Sequence, residues 1–200
     1  MSTQHVVMLD LDGTLIDSAP GILAGVEQAF AAVDAPIPPR PLMRSWIGPP
    51  VRETLARELA GHGPAAVEQA NAAFRAYFDE TGMHESVPFR GVPEMLEALA
   101  GGGAVVVVVT HKPAVLARAA IIQHGLDRPI AGIYAPDSPS HEISKAELFG
   151  QAVAATRPDS AVAAGDRASD VAAAAVHGIP TVGVTWGYGS EEELRAAGAY

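Results

Sequence analysis

A doubly wound parallel α/β sheet carrying a helical insertion is the fold this sequence predicts, and three observations predict it. Five short, nearly continuous apolar runs rich in β-branched residues recur along the chain, the pattern of strands buried on both faces. Helical stretches with recognisable starts and stops alternate with the later runs. The first two runs are separated by far more chain than a direct crossover needs.

The first strand is read at Val6 to Asp10. Three helical segments follow, Gly21 to Val33, Val51 to Gly61 and Pro64 to Thr81, with no convincing strand among them. They are read as an inserted helical domain whose joints, Asp17 to Pro20 and Val87 to Gly91, are rich in turn formers. Residues 1–17 and 88–200 then make a discontinuous α/β core, and residues 18–87 the insertion. Gly101-Gly102-Gly103 ends a helix before the second strand, Ala104 to Thr110; no helix start follows these glycines, which argues against a nucleotide loop. A helix over Lys112 to His124 stops at Gly125, ahead of a third strand at Ile130 to Ala135. The capping pattern Ser144-x-x-Glu147 opens the next helix, and the fourth strand spans Ala161 to Asp166. Ser169 to His177, ending at Gly178, leads to the fifth strand at Pro180 to Thr185, and Ser190-x-x-Glu193 opens a last helix.

Composition narrows the classes of partner. A net charge of −10 lacks the basic face that broad nucleic-acid binding requires. No apolar stretch approaches the roughly 20 residues of a membrane span, and no basic segment with an apolar signal core opens the chain, so a cytoplasmic protein without membrane contact is expected. The absence of cysteine removes disulfides, thiolate metal sites and cysteine nucleophiles. Of the 13 basic residues only Lys112 and Lys145 are lysine, which raises the question of whether a compact ammonium is needed at those two places.

In doubly wound sheets, ligands sit beyond the carboxyl ends of the strands where strand order reverses. There the first strand delivers Asp10, Asp12 and Thr14, the second Thr110, His111 and Lys112, and the fourth Asp166 and Asp170, while Lys145 opens the helix before the fourth strand. Residues i and i+2 of a strand share a face, so Asp10 and Asp12 would repel unless a cation lies between them. Carboxylates and hydroxyls suit a divalent oxygen-seeking metal, magnesium first. Asp10 could then attack phosphorus, Asp12 could move protons, and Thr110, backbone amides and Lys145 could bind phosphoryl oxygens. At the start of its helix Lys145 faces an unfavourable dipole, an odd place for a mere surface charge. Lys112, followed by Pro113, reads equally as a solvent-facing residue at a helix start, and His111 as a substrate contact or a rim filler. His62, His84, His124, His141 and His177 show no ligand-like spacing.

DLDGT at Asp10 to Thr14, a strand ending in Thr110, the downstream Lys145 and GDRASD at Gly165 to Asp170 together resemble the haloacid dehalogenase superfamily of phosphohydrolases over nearly the whole chain. The resemblance implies Asp10 as nucleophile, Asp12 as acid/base, and magnesium held by Asp10, the Asp12 backbone carbonyl and Asp166. It further implies Asp170 as an outer support of the metal or of Lys145, and the insertion as the small helical cap of the family's first cap class. LIDSAPGIL, RSWIGPPVRETLAREL and GIPTVGVTWGYGSEEELRAAGA are similar to the phosphoglycolate phosphatase-like branch. That similarity implies a small phosphorylated metabolite as partner, 2-phosphoglycolate first, with other small phosphates, pyrophosphate or sugar phosphomutase activity as alternatives. A receiver-like phosphoacceptor switch is the reading from a different class; it lacks a reason for the helical insertion. Monomer and homodimer are both compatible with the sequence.

Within the cap, Gly48 and Pro49 belong to a rigid loop that could close over the site, and Arg52 is a candidate partner for a substrate carboxylate or an ordinary surface arginine. Three features depart from the family pattern. His111 stands where asparagine or serine is usual, the loop from Ala135 to Glu142 differs from the usual turn, and relatives usually continue past the point of Tyr200, leaving a shortened family end open.

Overall fold

Five successive valines, Val105 to Val109, offer water no polar face, and in an extended chain their side chains alternate between two sides. Val106 and Val108 enter one apolar cluster with Leu9, Leu96 and Ile121, whereas Val107 and Val109 enter a second with Met8, Leu148 and Phe149. The strand is therefore the middle layer of a three-layer core. The computed structural model describes residues 3–138 and 143–200.

The strands are β1 (His5–Leu9), β2 (Ile16–Asp17), β3 (Val87–Pro88), β4 (Val105–Val109), β5 (Ile130–Tyr134), β6 (Ser160–Gly165) and β7 (Thr181–Gly183). The helices are α1 (Ala19–Ala31), α2 (Arg40–Arg44), α3 (Val51–Glu58), α4 (Pro64–Glu80), α5 (Val92–Gly101), α6 (Ala114–Gln123), α7 (Lys145–Thr156), α8 (Ala168–Ala175) and α9 (Glu191–Ala197). Two compact units result, residues 1–17 with 87–200, and residues 18–86.

In the first unit a five-stranded sheet has the order β5-β4-β1-β6-β7, and every pair in it is parallel. The chain builds outward from β1 through β4 to β5, then returns to place β6 on the other side of β1. Strand order thus reverses at β1, the position where such sheets gather ligands. Residues of α5 and α6 cover one face and residues of α7 and α8 the other.

A second, two-stranded sheet pairs Ile16 with Pro88 and Asp17 with Val87, antiparallel. The sequence offered no strand here, because two residues are too few to show a period and proline sits at a sheet edge. The pairing puts Val87 in the first unit.

The second unit is helical. α1 packs on α4, and Gly25 permits it: a Cβ there would lie 2.9 Å from the Phe74 ring. Phe74 stacks on Phe78 at 5.4 Å, and Phe30 on Trp46 at 6.3 Å. The segment expected over Val51 to Gly61 divides into α3 and a 3-10 turn, Ala60–His62, and the short α2 had no periodic signature.

Candidate active site

β1 ends one residue before Asp10, whose N–H still donates to the Ala164 carbonyl at 3.0 Å, so the side chain leaves the sheet at the switch point in a fixed direction. The chain then folds back on itself through Gly13, at φ +91°, with its N–H on the Ile16 carbonyl at 2.9 Å. Only glycine fits there, because a Cβ would collide with the Asp166 carboxylate. The same close approach lets the Thr14 hydroxyl donate to Asp166 Oδ1 at 3.3 Å.

Lys145, the first residue of α7, reaches inward and is 8% exposed. Its ammonium donates to Asp10 Oδ1 at 2.7 Å and pairs with Asp170. Asp170 is fixed in turn by the Arg167 N–H, which donates to Oδ2 at 3.0 Å. Asp10, Asp166 and Asp170 each present a carboxylate oxygen within 4.8 Å of the others, all three buried. Three acids beside one lysine leave an excess of negative charge away from water. Burial accordingly pushes Asp10 up to about 8, with Lys145 opposing and Asp170 and Asp166 adding to the rise. Asp166 rises to about 6, again mainly through burial, against the Tyr188 N–H that bonds it. Burial would lower Lys145, but Asp10 and Asp170 overcome it and hold the ammonium above its usual range. Such a cluster takes up either protons or a divalent cation, and its all-oxygen donor set matches a hard cation.

Asp12 is not in that carboxylate cluster. Its two oxygens accept from Lys112 Nζ at 2.9 and 3.2 Å, and the lysine side chain is only 7% exposed. The solvent-facing reading of Lys112 is thereby corrected: the helix starts at Ala114, and Lys112 belongs to the turn that follows β4, the parallel neighbour of β1. Its N–H donates to the buried Thr110 hydroxyl oxygen at 3.1 Å. His111, partly buried, is pushed down to about 4 by burial and by the Lys145 charge, so its imidazole is neutral at pH 7.

Sequence reasoning used the segment after β7 as a mark of resemblance and a helix start but gave it no role in the site. The Tyr188 N–H donates to Asp166 Oδ2 at 2.7 Å, the Trp186 indole to the Thr14 carbonyl at 3.1 Å, and the Tyr188 hydroxyl to Asp17 at 3.0 Å. Gly187 lies where a Cβ would meet both Asp166 and the Gly13 carbonyl. A W-G-Y-G spacing was the available signal. The pattern at Ser190 also differs from a reciprocal capping box: Ser190 does accept from the Glu193 N–H at 3.0 Å, but the Glu193 carboxylate accepts from Ala168 N–H at 2.8 Å and Arg167 Nε at 2.9 Å. It caps α8 instead, and those contacts hold it below the usual carboxylate range despite partial burial.

Arg52, Gly48 and Pro49 lie in the helical unit. Arg52 Nη2 donates to Glu68 Oε1 at 3.0 Å between two exposed side chains, and Gly48 takes φ +131°. The loop expected to depart from the usual turn runs into residues 139–142, which with His141 lie outside the described residues.

A family model described as haloacid dehalogenase-like hydrolase matches residues 7–184. The chain belongs to that family. A 5'-nucleotidase of Pseudomonas aeruginosa is 34% identical over 195 residues, covering 95% of this chain and 86% of that one. Phosphoglycolate phosphatase 1 of the same organism is 32% identical and covers 92% and 70% respectively. The tyrosine-protein kinase PtkA of Mycobacterium tuberculosis is 37% identical over 92% of this chain, which spans only 63% of that protein. A crystal structure of a predicted phosphatase from Clostridium acetobutylicum superposes with a TM-score of 0.89 at 31% identity, covering 99% and 92% of the two chains. As a haloacid dehalogenase-like hydrolase, the chain has the mostly parallel α/β sheet of its structural neighbours, and its buried aspartate cluster lies at the sheet's switch point. Among the described residues no helix is long and apolar enough to cross a membrane.

Proposed function

We propose that this hydrolase is a magnesium-dependent phosphatase acting on a small phosphomonoester through an aspartyl-phosphate on Asp10. The buried arrangement of Asp10, Asp166 and Asp170 around Lys145 carries the reading. The donors fit magnesium, being hard oxygens with no sulfur and no imidazole among them, and their excess charge is what a divalent cation offsets. Asp10, Asp166 and the Asp12 backbone carbonyl would hold the ion, which when bound supplies charge neutralisation to carboxylate and phosphate alike.

Asp10, fixed by Lys145, uses one carboxylate oxygen to attack phosphorus as the ester P–O bond breaks. Asp12 gives its proton to the departing oxygen, then, as carboxylate, takes a proton from the water that attacks the aspartyl-phosphate; inorganic phosphate leaves and Asp10 is restored. Thr110 and the Lys145 ammonium bind phosphoryl oxygens as charge shifts among them. Thr14 holds Asp166 in place, Asp170 pairs with Lys145 alongside Asp10, and neutral His111 is a phosphate or rim contact.

Similarity to a phosphoglycolate phosphatase supports 2-phosphoglycolate as first substrate, and similarity to a 5'-nucleotidase supports nucleoside monophosphates as second. Similarity to PtkA raises phosphoryl transfer to tyrosine as an alternative. A phosphate-release screen with magnesium over phosphoglycolate, nucleotides, pyrophosphate and hexose phosphates, with a tyrosine peptide plus ATP alongside, distinguishes them. Turnover of at least one small ester, abolished in Asp10→Asn and by chelation, is expected. Turnover that survives Asp10→Asn contradicts the mechanism.

A further inference from the structure

The proposed steps leave one buried charge without a task. Lys112 spans from the end of β4 to Asp12 beyond the end of β1, and its ammonium touches both carboxylate oxygens, at 2.9 and 3.2 Å, with side chains 7% and 17% exposed. A side chain with four rotatable bonds loses considerable freedom when held this way, and in a chain whose other basic residues are nearly all arginine this lysine stands in the acidic site itself. Its own N–H meanwhile bonds the Thr110 hydroxyl oxygen at 3.1 Å, so one residue ties the phosphate-binding strand end to the acid/base group.

We propose that Lys112 is a positioning residue for proton transfer: it fixes the rotamer of Asp12 so that one oxygen faces the leaving group while the ammonium steadies the other. The inference rests on the reading of Asp12 as acid/base. When the ester bond breaks, the Asp12 O–H bond breaks with it, the proton goes to the departing oxygen, and the resulting carboxylate stays under the ammonium. In the second step the same oxygen takes a proton from the attacking water. A short contact to an ammonium, to a carbonyl oxygen of the protonated acid before transfer and to the carboxylate after it, orients more than a contact between neutral groups because it is stronger and its geometry is narrower. With Lys112 removed, Asp12 retains its chemistry and loses its aim. The chemical consequence is specific, since a departing oxygen that is already a stable anion needs little help from an acid, and a basic one needs much.

The test compares phenyl phosphate with 2,4-dinitrophenyl phosphate as substrates of the magnesium-loaded protein, in wild type, Asp12→Asn, Lys112→Met and the double variant. Asp12→Asn is expected to lose about 100-fold or more in kcat/KM, which reports the step in which the alcohol departs, on the phenyl ester and far less on the dinitrophenyl ester. Lys112→Met should show the same split at smaller size, at least about 10-fold greater loss on the phenyl ester, and adding it to Asp12→Asn should cost little further. Equal losses of Lys112→Met on both esters, or full additivity in the double variant, overturn the inference and leave the role of Asp12 standing. A missing split in Asp12→Asn overturns the reading on which it rests. If Lys112→Met does not fold, Lys112→Gln is put through the same comparison, with thermal melting to establish its fold.

Discussion

Replacing Asp10 with asparagine should make the metal-free protein more stable, not less, at neutral and alkaline pH. Asp10 loses its proton in the unfolded chain near the ordinary value of 3.8, but in the folded protein burial raises it to about 8. The rise survives the attraction of Lys145, so the folded state on balance prefers the neutral carboxyl. The folded protein therefore binds a proton that the unfolded chain has released, and stability falls as pH climbs from about 4 to about 8. A displacement of that size corresponds to a penalty on the order of 5 kcal/mol above pH 8, at about 1.4 kcal/mol per unit. Asparagine keeps the shape and discards the charge, and Lys145 retains Asp170 as its partner. At roughly 2–4 °C per kcal/mol for a chain of this size, Asp10→Asn should melt about 10 to 20 °C higher than wild type at pH 8.5 in EDTA. The gap should shrink as pH falls and vanish near pH 4. Calorimetry of the two proteins across that range reads it directly. A variant less stable than wild type at pH 8.5, or a gap independent of pH, refutes the argument that the buried carboxylate is under-compensated without metal.

Magnesium should raise the melting temperature of the wild type more at pH 8 than at pH 5, because at low pH the ion competes with protons on Asp10 and Asp166; equal shifts at both pH values count against the cluster as its site. Gly187→Ala should remove most of that magnesium-dependent shift, since the new methyl group meets the Asp166 carboxylate, and isothermal titration calorimetry would report the loss of affinity. Glu193→Gln should cost about 1 kcal/mol at pH 7 by weakening the cap on α8. The Glu193 carboxyl is depressed in the folded state, so its contribution is present above the unfolded value of 4.5 and lost as pH falls through the folded one; chemical denaturation at pH 7 and pH 3 tests the sign.

The parts of the fold that were legible in the sequence are those with a one-dimensional signature. Val105 to Val109 could only be a strand buried on both faces, and Gly125 and Gly178, both at positive φ, mark real helix ends. The two-residue strands β2 and β3 have no such signature, because their pairing joins segments about 70 residues apart in sequence. The site divides the same way. Carboxylates just past a strand end or in the first turn of the helix that follows announce themselves, so Asp10, Asp166 and Asp170 could be gathered on one rim before any coordinates. The partner of Lys112 lies 100 positions away, and the donor on Asp166 Oδ2 is a backbone N–H, which any residue carries. Glu193 shows how a local pattern misleads: Ser190-x-x-Glu193 has the spacing of a capping box, but the stronger donors for its carboxylate come from the start of a different helix.

The central claim is that Asp10 itself accepts the phosphoryl group, and covalent trapping tests it most directly. Magnesium-loaded protein mixed with a turned-over ester is quenched in acid within milliseconds, and the peptide containing Asp10 is mapped by mass. The account predicts a peptide heavier by one phosphoryl group, modified at Asp10 and absent from Asp10→Asn. Rapid quench during steady turnover that yields only unmodified Asp10, or a phosphoryl group on another residue, contradicts it.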